Sequence, residues 1–504
     1  MTNYAKQIYK QLTEQTLEAE ELKAENQKLR QENRGLLARV EALESSLEER
    51  IEARIAKAVS QATKPLYERI AHLEKKVVEK DAEILRLKSR IDKDSSNSSK
   101  PPSSDGFRKI PNNRETSERK TGGQPGHKGH RLTVPKDLDA LVKAGKAEHI
   151  VIDETDGSAK YTADWEVDLK IIPVYTEIRR EGARGQVRYG KGIQALSVYL
   201  QNVGMLSLER LSEFFKVVTD GQISLSEGTL VSFSRQVAAK VDMEGLIEDL
   251  LNRRVLHVDD SAVRTTERPV REKDDLEQAE HSTFSSYIRT YSNAKTTVLT
   301  AHAYKDDQGV KEDNILTRYH GILSHDHEAK FYQYGDRHAT CGAHLTRELR
   351  GLCELEKIGW ADRMRKFMIE MNAQKKEDER KGRTCCDPLL LNQYEKRYDE
   401  LVEEGAQELA SMHPKTFGRS ALNRMVNRLR KHRANYLLFM QDYDAPFTNN
   451  QSERDLRHSK TRQKISGCHR AWQAFLDYCK IRSLTDTANK RGDNILASIA
   501  SCCR

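Results

Sequence analysis

Leucine recurs every seventh residue at Leu22, Leu29, Leu36 and Leu43, and Asn26, Asn33, Val40 and Leu47 fill the seam between them. This is a heptad pattern with Leu at d and two Asn at a. No other feature constrains the fold as strongly, because a stripe of this period buries itself only against another helix. A buried Asn at a weakens the seam but fixes register and oligomer state. A second phase runs through Leu66, Ile70, Leu73, Val77, Ile84, Leu87 and Ile91. Pro65, between the two phases, predicts a break or kink. Residues 1–94 are expected to form a coiled coil that makes the protein a homo-oligomer. A single solvated helix, or an intramolecular hairpin about Pro65, is the alternative.

Several classes are excluded early. Only 37% of the 504 residues are hydrophobic, too few for one compact globule, which agrees with an extended N-terminal segment. No apolar run approaches 18 residues, so no membrane span is expected. Met1 to Lys10 lacks the apolar core of a signal peptide, so the expected compartment is the cytoplasm, on the nucleoid when bound. The eight Cys all lie at or beyond Cys341, which argues against a disulfide framework. No Walker A or GxGxxG pattern supports nucleotide binding. The net charge of +8 permits a polyanionic partner without demanding one.

Residues 95–131 read as a flexible linker and a basic arm. Ser95 to Ser104 is SSNSSKPPSS, which cannot bury a core. The Gly-rich stretch after it carries Lys109, Lys120, Lys128 and Arg131, and from Lys100 to Arg131 eight Lys/Arg face three Asp/Glu. Flexible glycine with lysine and arginine suits tracking along phosphates. A solvated linker is the plainer reading.

Residues 132–190 have β texture: Val167, Leu169 and Ile171 alternate, then Val174, Thr176 and Ile178, with a turn signal at Asp156-Gly157. A small β unit is expected there. Residues 191–248 turn helical. Ser207–Thr219 and Ser226–Lys240 have helix-turn-helix spacing about Asp220-Gly221, with Ser226 as N-cap. Most such pairs are packing units, so DNA reading by this one is the lesser expectation.

The chemistry lies beyond Arg253. Val255 to Ser261 is a short apolar strand ending in Asp259 and Asp260. Two more strands are expected at Ser286–Tyr291 and Thr296–His302, then a helix near Glu312–Tyr319, then a strand from Gly321 ending in Asp326. Three hairpin-linked strands, a helix and a fourth strand beside the first is the order of a ribonuclease-H-like sheet. In that order Asp259 and Asp326 face each other. Close carboxylates bind Mg²⁺, and two such ions clamp both oxygens of a phosphodiester displacement. Glu453, at the start of a helix, supplies a third acid. One acid after a strand is more often a turn or cap residue, so the inference needs all three.

Four ordered landmarks carry a family resemblance. They are Asn97-Ser98-Ser99-Lys100-Pro101-Pro102-Ser103-Ser104-Asp105; Gly122-Gly123-Gln124-Pro125-Gly126-His127-Lys128-Gly129-His130; His257-Val258-Asp259-Asp260-Ser261; and Asn449-Asn450-Gln451-Ser452-Glu453-Arg454-Asp455-Leu456-Arg457. With these the chain resembles transposases of the insertion sequence 66 family (TnpC type), over roughly residues 15 to 490. The resemblance implies a DDE catalytic core with Asp259, Asp326 and Glu453 as catalytic metal ligands. It implies Mg²⁺ or Mn²⁺, two ions, and DNA partners: the element's terminal inverted repeats and a target. Small companion proteins of the same element are a further expected partner. Phosphodiester cleavage and strand transfer would follow, with no side chain acting as nucleophile. A DNA-binding coiled-coil regulator, or a decayed transposase without catalysis, is the alternative.

The fold class expected is therefore α/β: a ribonuclease-H-like core over 249–480, with a helical insertion at about 343–445 and a C-terminal tail at 481–504. A long coiled coil and a small β plus helical DNA-binding region would precede it. Three details depart from the family pattern. The segment 132–190 has no Cys where the family carries zinc ligands, Asp260-Ser261 replaces the usual Glu-Thr, and His458-Ser459 stands where Pro is common. Cys341-Gly342-Ala343-His344 matches the family's Cys-x-x-His, but it is half a zinc site, so packing is expected and zinc is not. On the helix of Glu453, Arg454, Arg457, Lys460 and Arg462 are expected to meet DNA phosphates. Arg457 lies one turn from Glu453, close enough to pair with it instead.

Overall fold

The computed structural model describes residues 3–94, 96–98, 133–153, 163–179, 187–269 and 283–503. Lys109, Lys120, Lys128 and Arg131, the cations expected of the basic arm, lie outside the described residues. The chain divides into two compact units, Met1–Ile91 and Asp92–Arg504.

The first unit is one helix, α1 (Asn3–Ile91). It runs through Pro65, so neither the expected break nor a hairpin forms. An internal proline removes one backbone hydrogen bond and costs roughly 3 kcal/mol. The run of Glu, Lys, Ala and Leu on both sides offsets that with strong helix propensity. The stripe is uncovered: Leu22, Leu29, Leu36 and Leu43 are each more than half exposed.

The second unit begins with a buried turn where a free linker was expected. The Asp94 carboxylate accepts from Ser96 N at 2.8 Å, Ser96 Oγ at 2.6 Å and Asn97 N at 3.2 Å. Asn97 Oδ1 accepts from Asp94 N at 2.9 Å, and its amide donates to Asp92 O at 3.0 Å. Side chains thus satisfy the backbone locally, which lets a polar turn be buried. Farther on, among residues 133–153 and 163–179, the β expectation fails. The one regular element is α2 (Leu138–Lys143), and Val167, Leu169, Ile171, Val174 and Ile178 are exposed. Alternation makes a strand only beside a strand that pairs its backbone, and the described chain brings none there.

Four helices follow, α3 (Lys191–Asn202), α4 (Leu208–Val218), α5 (Glu227–Ala238) and α6 (Met243–Leu251). Ser226 Oγ accepts the Thr229 N–H at 3.2 Å, the cap expected for α5. The strands are β1 (Val255–Thr265), β2 (Phe284–Ser292) and β3 (Thr297–His302), then α7 (Asp307–Asp313), β4 (Ile322–His325) and β5 (Arg337–Thr340). They form one sheet in the order β3-β2-β1-β4-β5. β1, β2 and β3 are antiparallel neighbours, β4 joins β1 in parallel, and β5 joins β4 in parallel.

Five helices come next: α8 (Gly342–Glu354), α9 (Gly359–Arg380), α10 (Pro388–Ser411), α11 (Arg419–Lys431) and α12 (Arg433–Gln441). They bury a core of their own around Trp360, Tyr398, Leu429 and Met440. The chain ends with α13 (Asn450–Ser466), α14 (Trp472–Arg491) and α15 (Ile495–Ser501). The expected tail at 481–504 is therefore core. Ile481 and Ile499 pack with Leu211, Phe215, Leu230 and Val237 of α4 and α5. Earlier on α14, Phe475, Tyr478 and Cys479 pack with Val263, Ile288 and Leu299 of the sheet.

Gly351 of α8 gives a first prediction. A Cβ there would stand 2.3 Å from Asn97 O, and backbone cannot yield as a flexible side chain can. Gly351→Ala should expel the turn at 96–98 and lower stability by about 1–3 kcal/mol, as overpacking does. Limited proteolysis should cut near residue 95 several-fold faster than in the parent. Unchanged cleavage and melting would refute the packing argument.

Candidate active site

The alternation of β1 sorts its residues onto two faces. Val263 packs with Leu456 of α13 and Phe475 of α14, and His257 Nδ1 lies 2.9 Å from Asn449 Oδ1. His257, Asp259, Ser261 and Val263 therefore share the α13–α14 face. Leu256 and Val258 pack with Leu250 of α6 and Val310 of α7, which puts Asp260 on the opposite face.

The parallel register pairs Leu256 with Leu323 and His257 with Ser324. Carried two residues further, it sets Asp259 beside Asp326, just past the end of β4. Glu453 arrives in the first turn of α13. Asn449, the residue before that helix, is fully buried and fixes where it starts. Its amide donates to Val258 O at 2.9 Å, its Oδ1 accepts from Ser324 Oγ at 3.3 Å, and its N–H reaches Cys341 Sγ at 3.2 Å. One residue thus joins β1 and β4 through its side chain and the start of α8 through its backbone N–H. Glu453 sits one helical turn beyond that anchor.

The electrostatics report the convergence. The Asp259 carboxyl is pushed well above the usual carboxylate range by burial, then by the charges of Asp326, Asp260 and Glu453. Asp326 is raised too, by burial first and then by Glu328. Asp326 Oδ1 and Glu453 Oε1 are buried without a hydrogen-bond partner. Carboxylates with orphaned oxygens around a raised, buried Asp259 are a donor set suited to a hard divalent cation. Glu453 Oε1 also stands 3.8 Å from His344 Nδ1 and 3.8 Å from Arg347 Nη2, both on α8.

A family model described as the transposase IS66 family matches residues 186–474, more than half of the chain. The chain belongs to this family. A second model, of a family of unknown function, matches residues 10–133 of the transposase. No curated protein matches. A solved structure entitled "Crystal structure of the Mos1 Strand Transfer Complex" aligns at 14% identity with a TM-score of 0.10. The alignment covers 31% of this chain and 56% of that one, and at that score it carries no argument about fold.

The positive strip of the transposase is shorter than expected. Arg454, Arg457 and Lys460 are exposed on α13. Arg454 donates to Gln451 Oε1 at 2.6 Å. Glu453 finds its ion partners on α8, and no ion pair with Arg457 is among the described contacts. Arg462 turns inward. Its guanidinium lies 4.5 Å from the Tyr478 ring centroid and donates to Gln201 O at 3.3 Å. It falls three residues after buried Ser459, on the packed face of α13, and is corrected from a phosphate contact to a packing residue.

Sequence reasoning missed the charges behind the site. Asp260 faces Arg289 directly across β1 and β2. Arg289 Nε donates to Asp260 Oδ1 at 2.7 Å and Nη1 to Asp313 Oδ2 at 3.1 Å, all within a buried cluster. Lys330 also bonds Asp260, and Tyr291 OH donates to Asp313 Oδ2 at 2.6 Å. Burial alone would raise the Asp260 carboxyl, but Arg289 and Lys330 hold it below the usual range. One signal was present: an arginine in the middle of a strand with no other charged residue.

Proposed function

We propose that this chain is a divalent-metal-dependent DNA transposase with a ribonuclease-H-like core. In this reading it binds the ends of its own element, cleaves there and joins the freed strand to a target. One observation supports it: burial and the charges of Asp326, Asp260 and Glu453 raise the Asp259 carboxyl, and one oxygen each of Asp326 and Glu453 is buried without a hydrogen-bond partner. Mg²⁺ or Mn²⁺ is the cation these hard oxygens suit, and bound there it supplies Lewis-acid activation of a phosphodiester.

The chain's own groups then have separate tasks. Asp259, Asp326 and Glu453 hold the cation, which offsets the burial and like charge that raise the Asp259 carboxyl. Asn449 and His257 set the distance between sheet and helix on which the trio depends. Arg454, Arg457 and Lys460 bind phosphates and keep the strand against the site. The uncovered leucine stripe of α1 is closed by a second copy, making the active species an oligomer.

The test is strand cleavage and strand transfer with Mg²⁺ on DNA carrying the element's ends. Asp326→Asn should abolish both while retention of labelled DNA stays within about twofold. Activity surviving in Asp326→Asn would overturn the reading. Binding without chemistry in the parent, even with the element's companion proteins added, would favour a regulator.

A further inference from the structure

Glu453 is shared with a second set of donors. Cys341 Sγ, a His344 ring nitrogen and a Glu453 carboxylate oxygen all lie within 4.8 Å of one another. Cys341 is the residue before α8, and His344 lies in its first turn. His344 Nδ1 and Glu453 Oε1 are both buried and both lack a hydrogen-bond partner, although they face each other at 3.8 Å. That gap is too long for a hydrogen bond. It is close to the roughly 3.4 Å that separates two ligands bonded at 2.0–2.1 Å about a tetrahedral ion. Two orphaned atoms at such a distance, with a sulfur beside them, outline a place for something they both bind.

One donor is placed to steady a metal-bound thiolate. Cys341 Sγ receives the Asn449 N–H at 3.2 Å, the kind of outer hydrogen bond that steadies a metal-bound sulfur. Without a cation, burial pushes the thiol up to about 11, so it stays protonated and inert at neutral pH. The imidazole of His344 is held neutral, mainly by burial, which is its ligand form. Sulfur, nitrogen and one oxygen form a set that zinc and cobalt prefer and magnesium does not.

We propose that Cys341, His344 and Glu453 bind a borderline-soft divalent cation of the zinc type, with a fourth position open. Cys341-x-x-His344 read alone is half a site. The third ligand lies more than a hundred residues on, and only the anchoring of α13 against β1 and β4 delivers it. Three protein ligands and an open position is the pattern of a reactive zinc site; a purely structural one is closed by four. The proposal goes beyond the DNA chemistry proposed above and does not depend on it.

Cobalt alone is the probe, because a cobalt–thiolate bond gives a charge-transfer band in the near ultraviolet. The metal-free full-length chain is titrated with Co²⁺. The expected result is a band saturating at one ion per chain and abolished by Zn²⁺. Cys341→Ser should lose the band, and Cys385→Ser, at an exposed cysteine, should keep it. Because Cys341 is buried and its replacement could disturb folding, His344→Gln is the second variant, expected to weaken Co²⁺ binding at least tenfold in a chain with an unchanged melting profile. Absence of the band, its survival in Cys341→Ser, or unchanged affinity in folded His344→Gln would each overturn the proposal. Mg²⁺-dependent cleavage without a cobalt band would sink this site alone. A cobalt band without cleavage, the element's companion proteins included, would sink the transposase reading alone.

Discussion

Asp259→Asn is expected to yield a chain that cleaves no DNA and yet, without added metal, melts at a higher temperature than the parent. Both halves follow from the same geometry. The carboxylate is one of the three proposed to hold the cation, and loss of several kcal/mol of charge stabilisation lowers the rate by about a thousandfold or more. The amide keeps an oxygen to accept the Asp260 N–H, which Asp259 Oδ1 now receives at 2.9 Å, so the strand end should not be disturbed.

The stability gain is a linkage effect. A carboxyl raised in the folded state binds its proton more tightly there than in the unfolded chain. Its favourable contribution is complete below the unfolded value, near pH 4, and is lost as pH rises through the raised folded value. At neutral pH the parent therefore carries a desolvated carboxyl pressed by Asp326, Asp260 and Glu453. Asparagine removes that burden, and Asp326 loses a repelling neighbour. Thermal melts between pH 5 and 8 in chelator should show the parent falling with pH and the variant falling less. A lower melting temperature in Asp259→Asn at pH 7.5 would mean that the trio is not in mutual repulsion.

The second large effect belongs to Arg289→Met. Arg289 is fully buried between Asp260 and Asp313, and removing its guanidinium leaves Asp313 with only Tyr291, Thr300 and His302. Breaking a buried ion pair from one side costs about 3–5 kcal/mol, because the surviving charge stays desolvated. The full-length variant should unfold at a markedly lower urea concentration. Adding Asp313→Asn should return part of the loss, since it removes the stranded charge. Strictly additive losses in the double variant would show that the two residues do not form one network.

The network has a further role in arranging the site. Asp259 and Asp260 are neighbours with opposite duties, one aimed at α13 and the other clamped behind the sheet. A slip of one residue in β1 would exchange them. The cross-strand pair Asp260–Arg289 resists a slip in one direction, because setting Ser261 opposite Arg289 would leave the buried guanidinium without its facing carboxylate.

Much of this was legible from local signals. β1 and β4 were legible as apolar runs leading into Asp259 and Asp326, although β1 continues past its acids to Thr265, and β2 and β3 flank the turn at Asn293. Ser226 announced α5. Glu453 was legible only through its motif, because nothing local marks a helix start as catalytic. Other features depend on contacts between distant residues. β5 is four residues, Arg337–Thr340, and exists because β4 offers it an edge. α14 buries residues around its whole circumference, so no polar stripe betrays it as a helix of the core. Residues 163–179 show the reverse case, with strand-like alternation and no strand beside them. The third ligand at Cys341 and His344 is invisible in sequence because it comes from the far side of five helices.

The packing of α14 and α15 bears on how such genes wear out. Ile499, Cys502 and Cys503 are buried among α3, α4 and α5, and Lys240 Nζ donates to Cys503 O at 3.0 Å. Loss of residues 495–503 would spare all three acids and the Asn449 anchor, yet strip the floor from a hydrophobic core. Intact acids therefore do not certify a working copy. An intact α15 is as much a condition of the fold as the three acids are of the proposed chemistry.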